Sequence, residues 1–101
     1  MKLLLLYKLR QGVTKDEYRK WSLERDQPTL TSCEGVSRYR VFDVGSADGE
    51  AAYDIVEYVE VDNWDTWRRV TTTGPMVPIG EDFQRLVDTT TVITLPVEEI
   101  A

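Results

Sequence analysis

The most constraining feature of this sequence is the apolar run with which it opens. Between Lys2 and Leu9 only Tyr7 and Lys8 interrupt a series of leucines, a pattern typical of a β-strand that is buried on both faces. The run is far shorter than the roughly 20 apolar residues of a membrane span, and no small-residue cleavage site of a signal peptide follows it. We therefore predict a buried first strand in a cytoplasmic protein that does not bind membranes.

A helix is predicted after this strand. Residues 14–17 form a capping box, in which a threonine hydroxyl and a glutamate carboxylate satisfy free backbone amides of the first turn. The helix is expected to carry Tyr18 and Trp21 on one face. It should end near Gln27, because Pro28 disfavours helical geometry in the residue before it.

The later elements follow from periodicity and turn residues. Alternating β-forming residues predict two strands joined as an antiparallel hairpin, and a Pro- and Gly-containing segment predicts a surface loop. The expected elements are a strand at 36–44, a turn at 46–50, a strand at 53–61, a short helix capped by Asp62, a loop at 71–78, a helix with Ile79, Phe83, Leu86 and Val87 on one face, and a strand at 89–95.

The order β, α, β, β, α, α, β is that of the split βαβ pattern. It predicts one ferredoxin-like α+β domain over residues 1–101, with a four-stranded antiparallel sheet. Helices on one face of such a sheet leave the other apolar face bare, so we expect two copies to pack face to face as a homodimer, a dimeric α/β barrel. A monomer whose own tail covers this face is the alternative.

Composition excludes several kinds of function. The chain contains no histidine, which removes the Ser-His and Cys-His catalytic pairs, the commonest zinc ligand and the usual haem ligand. A net charge of −6 opposes binding to nucleic acid, whose affinity for proteins depends on clustered lysine and arginine. Cys33 is the single cysteine. We expect no metal and no cofactor, with proton transfer left to carboxylates, tyrosines, lysines, arginines, Cys33 or water.

Aromatic and acidic residues at the end of the first helix form the first candidate site. Tyr18 and Trp21 share a helix face, whereas Asp26 lies about 140° from Trp21 on an ideal helix. Asp26 reaches the same pocket only if the helix loosens before Pro28. In the alternative interpretation the two aromatic residues belong to the core and Asp26 is a solvated turn residue.

The strand at 53–61 forms the second candidate site. Alternation places Glu57 on one face, and Tyr58 and Glu60 on the other, each among apolar neighbours. A carboxylate buried there would have a raised pKa, which suits a general acid or base near neutral pH. The alternative is a salt bridge to Arg38 or Arg40 across the hairpin.

Two aromatic residues complete the candidate pocket. Tyr39 on the neighbouring strand is placed to donate a hydrogen bond to a ligand carbonyl. Trp67 offers either packing for its short helix or a surface for an aromatic ligand. The loop at 71–78 is either a lid or an ordinary connection.

Short motifs along most of the chain resemble the REDY-like (HapK-like) proteins. These motifs are residues 16–18, Trp21, residues 26–28, residues 35–41 and residues 58–62. The resemblance implies a small dimeric α/β-barrel protein of bacterial secondary metabolism, associated with prodiginine pigments and tryptophan-dimer alkaloids. The chain is also similar to the EthD-like group, whose aromatic, histidine and proline pattern is matched in spacing by Trp21, Asp26 and Pro28, with an aspartate at the histidine position.

The resemblance implies a cofactor-independent cyclase acting on a reactive indole- or pyrrole-derived intermediate. We expect Asp26, or else Glu60, to move the proton. The residues expected to bind the small aromatic substrate are Tyr18, Trp21, Tyr39, Glu57, Tyr58 and Trp67. A cofactor-free monooxygenase acting on an aromatic substrate and a non-catalytic protein that binds a pigment precursor are the alternatives.

Overall fold

The computed structural model describes residues 1–45 and 49–101. Its strands are β1 (Lys2–Leu9), β2 (Val36–Asp43), β3 (Ile55–Val61) and β4 (Val87–Val97), and its helices are α1 (Lys15–Trp21), α2 (Gln27–Thr31), α3 (Trp64–Thr72) and α4 (Met76–Leu86), with a π-helical turn (Ser22–Asp26) between α1 and α2. Three residues of the turn predicted at 46–50 lie outside the described residues. Within the described ranges no helix is long and apolar enough to cross a membrane.

The four strands form one antiparallel sheet in the order β2-β3-β1-β4. The strand β1, which carries the apolar opening run, occupies a central position between β3 and β4. The hairpin pairing of β2 with β3 was expected and is present. The predicted α+β class with a four-stranded antiparallel sheet is therefore confirmed.

Helices cover only one face of this sheet. On that inner face the side chains of Leu3, Leu5 and Tyr7 are buried, whereas the alternate residues of β1 are only half-buried. The expectation that β1 is buried on both faces thus holds for one face of the single subunit. We call the other the outer face, and its apolar residues, identified by strand register, are Leu4, Leu6, Phe42, Val56, Tyr58, Ile93, Leu95 and Val97.

The helical segment that begins with α1 continues, through the π-helical turn and α2, past the proline that was predicted to end it. Thr14 caps α1 as expected, because its hydroxyl oxygen accepts a hydrogen bond from the Glu17 amide at 3.1 Å. The prediction of an end near Gln27 was wrong. The Gln27 amide bonds to the Ser22 carbonyl in a π-helical turn, and this wider turn accommodates the ring of Pro28, which in a regular α-helix would meet the carbonyl four residues earlier.

Two further boundaries differ from prediction. Asn63, rather than Asp62, caps α3, since its Oδ1 accepts from the Thr66 amide at 2.9 Å. The loop predicted at 71–78 is mostly helical, because α3 runs to Thr72 and α4 begins at Met76. Its prolines precede α4 or lie in its first turn, where backbone amides have no partner within the helix.

Gly35, which precedes β2, is expected to be intolerant of any side chain. Its φ of +94° is a left-handed conformation, and an added Cβ would lie 2.5 Å from Cγ2 of Thr66. Substitution Gly35→Ala should lower the free energy of unfolding by about 3 kcal/mol, from backbone strain plus overpacking. Gly12→Ala is the control, since Gly12 has a φ of +90° but nothing within 4 Å, and should cost about 1 kcal/mol. Urea unfolding measures both, and equal losses would contradict the predicted clash.

Candidate functional site

A cavity of about 410 Å³ lies between the inner face of the sheet and the helices. Its wall is mainly apolar and includes Trp67 and Phe83, while Asp26, Tyr39 and Glu57 supply the ionisable groups. Ligand sites in proteins combine these two features, a mostly apolar wall and a few convergent polar groups. The cavity is therefore the candidate active site.

The π-helical turn brings Asp26 into this cavity. Its hydrogen bonds join residues five apart, so the turn rotates Asp26 back toward the helix face that carries Trp21. The loosening that sequence reasoning required for Asp26 is thus present, but Tyr18 and Trp21, which were predicted to share its pocket, do not line this cavity. Asp26 is 4% exposed, and the Tyr39 hydroxyl donates a hydrogen bond to its Oδ2 at 2.6 Å.

Glu57 projects from the inner face of β3 into the same cavity and is also 4% exposed. The Tyr7 hydroxyl donates to Glu57 Oε2, and the hydroxyl oxygens of Tyr7 and Tyr18 lie 2.5 Å apart. Sequence reasoning did not include Tyr7 in the site. The signal for it was alternation along β1, which places Tyr7 on the same face as Leu3 and Leu5.

The two carboxyl groups have raised pKa values. Burial raises the pKa of Asp26 to about 6, against the opposing effect of the hydrogen bond from Tyr39. Burial, and then the charge of Asp26, raise the pKa of Glu57 to about 8, although hydrogen bonding from Tyr7 and Tyr39 opposes this increase. Near neutral pH the pair therefore holds one proton, mainly on Glu57. A protonated acid beside an ionised base is the arrangement that acid–base catalysis requires.

The tyrosines around the pair stay protonated at neutral pH. Burial, together with the charge of nearby Glu57, raises the pKa of the Tyr7, Tyr18 and Tyr39 hydroxyls above the ordinary value. These groups therefore act as hydrogen-bond donors and acceptors and do not become permanent charges.

Trp21 links two helices. Its indole nitrogen donates to Asp82 Oδ2 of α4 at 3.0 Å, and Asp82 also pairs with Arg25 at 3.0 Å and with Arg85. Trp21 also packs against Tyr18, with ring centroids 5.6 Å apart. Sequence reasoning missed Asp82, since nothing in its local pattern distinguishes it from an exposed helix residue.

Two sequence-predicted residues lie on the outer face. Glu60 forms an ion pair with Arg38 across the β2–β3 hairpin, at 3.2 Å, as the alternative interpretation expected. Tyr58 shares its face, so neither side chain joins the Asp26–Glu57 pair. Within residues 1–45 and 49–101 no cluster of three or more acidic or cysteine side chains is placed to hold a metal ion.

The buried pair should make the stability of the protein depend on pH. Folding raises the pKa of Glu57 from 4.5 to about 8, so its contribution to stability is complete below about pH 4.5 and is lost as the pH rises to about 8. We expect the free energy of unfolding to fall between about pH 5 and 8 in denaturant titrations. Glu57→Gln should flatten this fall and Glu60→Gln should retain it. An equally steep fall in Glu57→Gln would contradict the assignment.

Comparison with known proteins identifies the family. The sequence matches the family model described as REDY-like protein HapK over residues 1–97. The chain belongs to this family. The resemblance expected from the short motifs is thereby confirmed, and a search among curated proteins finds no match.

Several solved structures have the same fold as this chain. HapK from Hahella chejuensis is similar with a TM-score of 0.76 at 17% identity, over 100% of this chain and 96% of that one. An ethyl tert-butyl ether D (EthD) family protein from Bacillus halodurans C-125 gives 0.71 at 19% identity, over 98% and 97%. A dimeric ferredoxin-like protein of unknown function from Thermobifida fusca YX gives 0.71 at 15% identity, over 93% and 85%. The ferredoxin-like fold is thereby confirmed.

Proposed function

We propose that the protein is a cofactor-independent cyclase that acts on a reactive indole- or pyrrole-derived intermediate of bacterial secondary metabolism, of the tryptophan-dimer or prodiginine type. The observation that carries this proposal is that Asp26 and Glu57 are both buried and line one mainly apolar cavity, where burial raises the pKa of each carboxyl. Membership of the REDY-like family supports the substrate class. The rings of Trp67 and Phe83 in the cavity wall suit a flat aromatic ligand.

The pair supplies both proton transfers of a ring closure. As a ring carbon of the indole or pyrrole attacks an electrophilic carbon and forms the new bond, Glu57 donates its proton to the nitrogen or oxygen that receives the displaced electron pair. Asp26 then takes the proton from the attacking ring carbon. The reaction consumes no oxidant. The cavity wall holds the reacting atoms close together. Because this wall is apolar, it excludes water and suppresses hydrolysis of the intermediate.

We also propose that the protein works in the cytoplasm as a homodimer in which the outer faces of two subunits meet. Phe42 and Leu95 on this face are 53% and 44% exposed in the single subunit. A contiguous apolar face of this kind marks a binding surface. The similar fold of the dimeric ferredoxin-like protein from Thermobifida fusca supports a homodimer.

The proposal is tested with the metabolite extract of a strain that lacks the gene. The purified protein is added to this extract without oxygen, and masses are followed over time. We expect an indole- or pyrrole-containing compound in excess over protein to disappear, and a product of equal mass, or of mass lower by one water, to accumulate. Conversion only with oxygen consumption would indicate a monooxygenase. Binding of one ligand per cavity, with the compound recovered at its original chromatographic retention and mass, would indicate a carrier. Either result would overturn the proposal.

A further inference from the structure

Three buried groups that titrate form a continuous hydrogen-bonded chain through the core. The hydroxyls of Tyr18 and Tyr7 lie 2.5 Å apart, and the Tyr7 hydroxyl bonds to Glu57. All three side chains are buried. This hydrogen-bonded chain leads from the candidate active site toward α1. The two tyrosine hydroxyls in it take no part in the proton transfers proposed for Asp26 and Glu57.

Tyr18, the last residue of this hydrogen-bonded chain, lines a second cavity. That cavity has a volume of about 220 Å³ and is lined by Tyr18 and Ser22, with Lys15 and Asp43 at its wall. It has no lining residue in common with the cavity that contains Glu57. The hydrogen-bonded chain therefore connects two separate cavities.

We propose that Tyr18 and Tyr7 form a proton relay between Glu57 and the water of the second cavity. The inference rests on the proposed function, in which each ring closure leaves Glu57 ionised and Asp26 protonated. The relay returns a proton to Glu57, and Asp26 gives its proton to the water that enters the main cavity as the product leaves. A substrate that fills the main cavity cuts Glu57 off from water on that side. Among the described residues, no lysine or arginine forms an ion pair or hydrogen bond with Glu57 that would deliver a proton instead.

The relay balances in protons and leaves no phenolate. Tyr7 gives its hydroxyl proton to the Glu57 carboxylate, Tyr7 receives the proton of Tyr18, and Tyr18 receives one from water in the second cavity. Every O–H bond that breaks is replaced on the same oxygen by one from the neighbouring group. The remaining groups that act on Glu57 are Asp26 and Tyr39, and the Tyr39 hydroxyl donates to Asp26.

The test blocks the main cavity, so that the relay is the only remaining route by which a proton from water reaches Glu57. Gly80 lines this cavity, and a Cβ added to it would have no atom within 4 Å, so Gly80→Phe places a ring in the space without a ligand. The measurement is the rate at which the infrared band of the protonated Glu57 carboxyl appears after a jump from pH 9.5 to pH 6. The band is assigned by its loss in Glu57→Gln. Gly80→Leu provides a smaller plug if the phenylalanine prevents folding.

Tyr7→Phe removes the central hydroxyl but keeps the ring. In the Gly80→Phe background we expect it to slow protonation of Glu57 at least tenfold, whereas with an open cavity the change should stay within threefold. Tyr18→Phe should act in the same direction. Tyr53→Phe is the control, since the Tyr53 hydroxyl has no hydrogen-bond partner within the described residues. A merely structural role for Tyr7 would slow protonation equally in both backgrounds.

Unchanged protonation rates in the plugged Tyr7→Phe protein would overturn the relay. Because the measurement uses no substrate, that result would leave the proposed cyclase activity standing. Conversely, the protein could show the expected protonation rates and yet fail to convert any compound of the metabolite extract. That result would support the relay and contradict the proposed cyclase activity. The two failures are therefore distinguishable.

Discussion

Replacing Asp26 by asparagine should lower turnover by roughly 10²-fold or more, the usual contribution of a positioned general base. The amide has the shape of the carboxylate, and its oxygen still accepts the hydrogen bond that the Tyr39 hydroxyl gives to Asp26, but it takes up no proton. Folding should be preserved, because the variant removes a buried charge without opening a cavity. Turnover is measured as the mass conversion of the extract substrate, and folding by circular dichroism.

Glu57→Gln should cause a loss of similar size, and Glu60→Gln is the matched control on the same strand. In the wild-type protein Asp26 must be ionised and Glu57 protonated, so activity should decline below about pH 6 and above about pH 8. In Asp26→Asn the residual activity should no longer decline below about pH 6, because the group that titrates there is absent. Unchanged turnover in Asp26→Asn would exclude this residue from the mechanism, and an equal loss in Glu60→Gln would move the chemistry to the outer face.

Leu95→Lys should abolish the homodimer at micromolar concentration. Leu95 lies on the outer face opposite Leu4 of β1 and is 44% exposed in the single subunit. In a monomer this lysine would reach water at little cost, whereas between two subunits its charge would be buried without a partner, at a cost of several kcal/mol. An interface of about 800 Å² per subunit is stabilised mainly by its apolar part, so dissociation should be accompanied by partial unfolding.

Val77→Lys on α4 is the matched control, because Val77 is also 44% exposed but lies away from the outer face. Sedimentation at falling protein concentration distinguishes the two variants. A wild-type protein that remains a folded, soluble monomer at micromolar concentration would contradict the face-to-face barrel, as would a Leu95→Lys variant that remains dimeric.

Local patterns were sufficient to predict most of the fold. The apolar run of β1 and the capping residue Thr14 each act through neighbours in sequence, and both were located correctly. The predicted end of the first helix near Gln27 was wrong because the effect of Pro28 depends on the width of the preceding turn. No propensity of Ser22–Asp26 indicates a π-helical turn, so this feature requires the tertiary structure.

The candidate site was predicted less completely for a related reason. Alternation along β3 separates Glu57 from Glu60, but it does not say which face the helices cover. Sequence reasoning therefore placed Glu60 ahead of Glu57 as the second proton carrier, whereas the structure buries Glu57 and pairs Glu60 with Arg38. The bond between Tyr7 and Glu57 joins residues far apart in sequence, and only the pairing of β1 with β3 brings them together.

The most direct measurement is a carbon-13 NMR titration of the two cavity carboxyl groups, assigned with Asp26→Asn and Glu57→Gln. If the buried pair holds a proton for catalysis, both groups should titrate above their ordinary range, Asp26 near pH 6 and Glu57 near pH 8, and removing either carboxyl should shift the titration of the other. Two carboxyl groups that are both ionised by pH 5 and titrate independently would contradict an acid–base pair in this cavity.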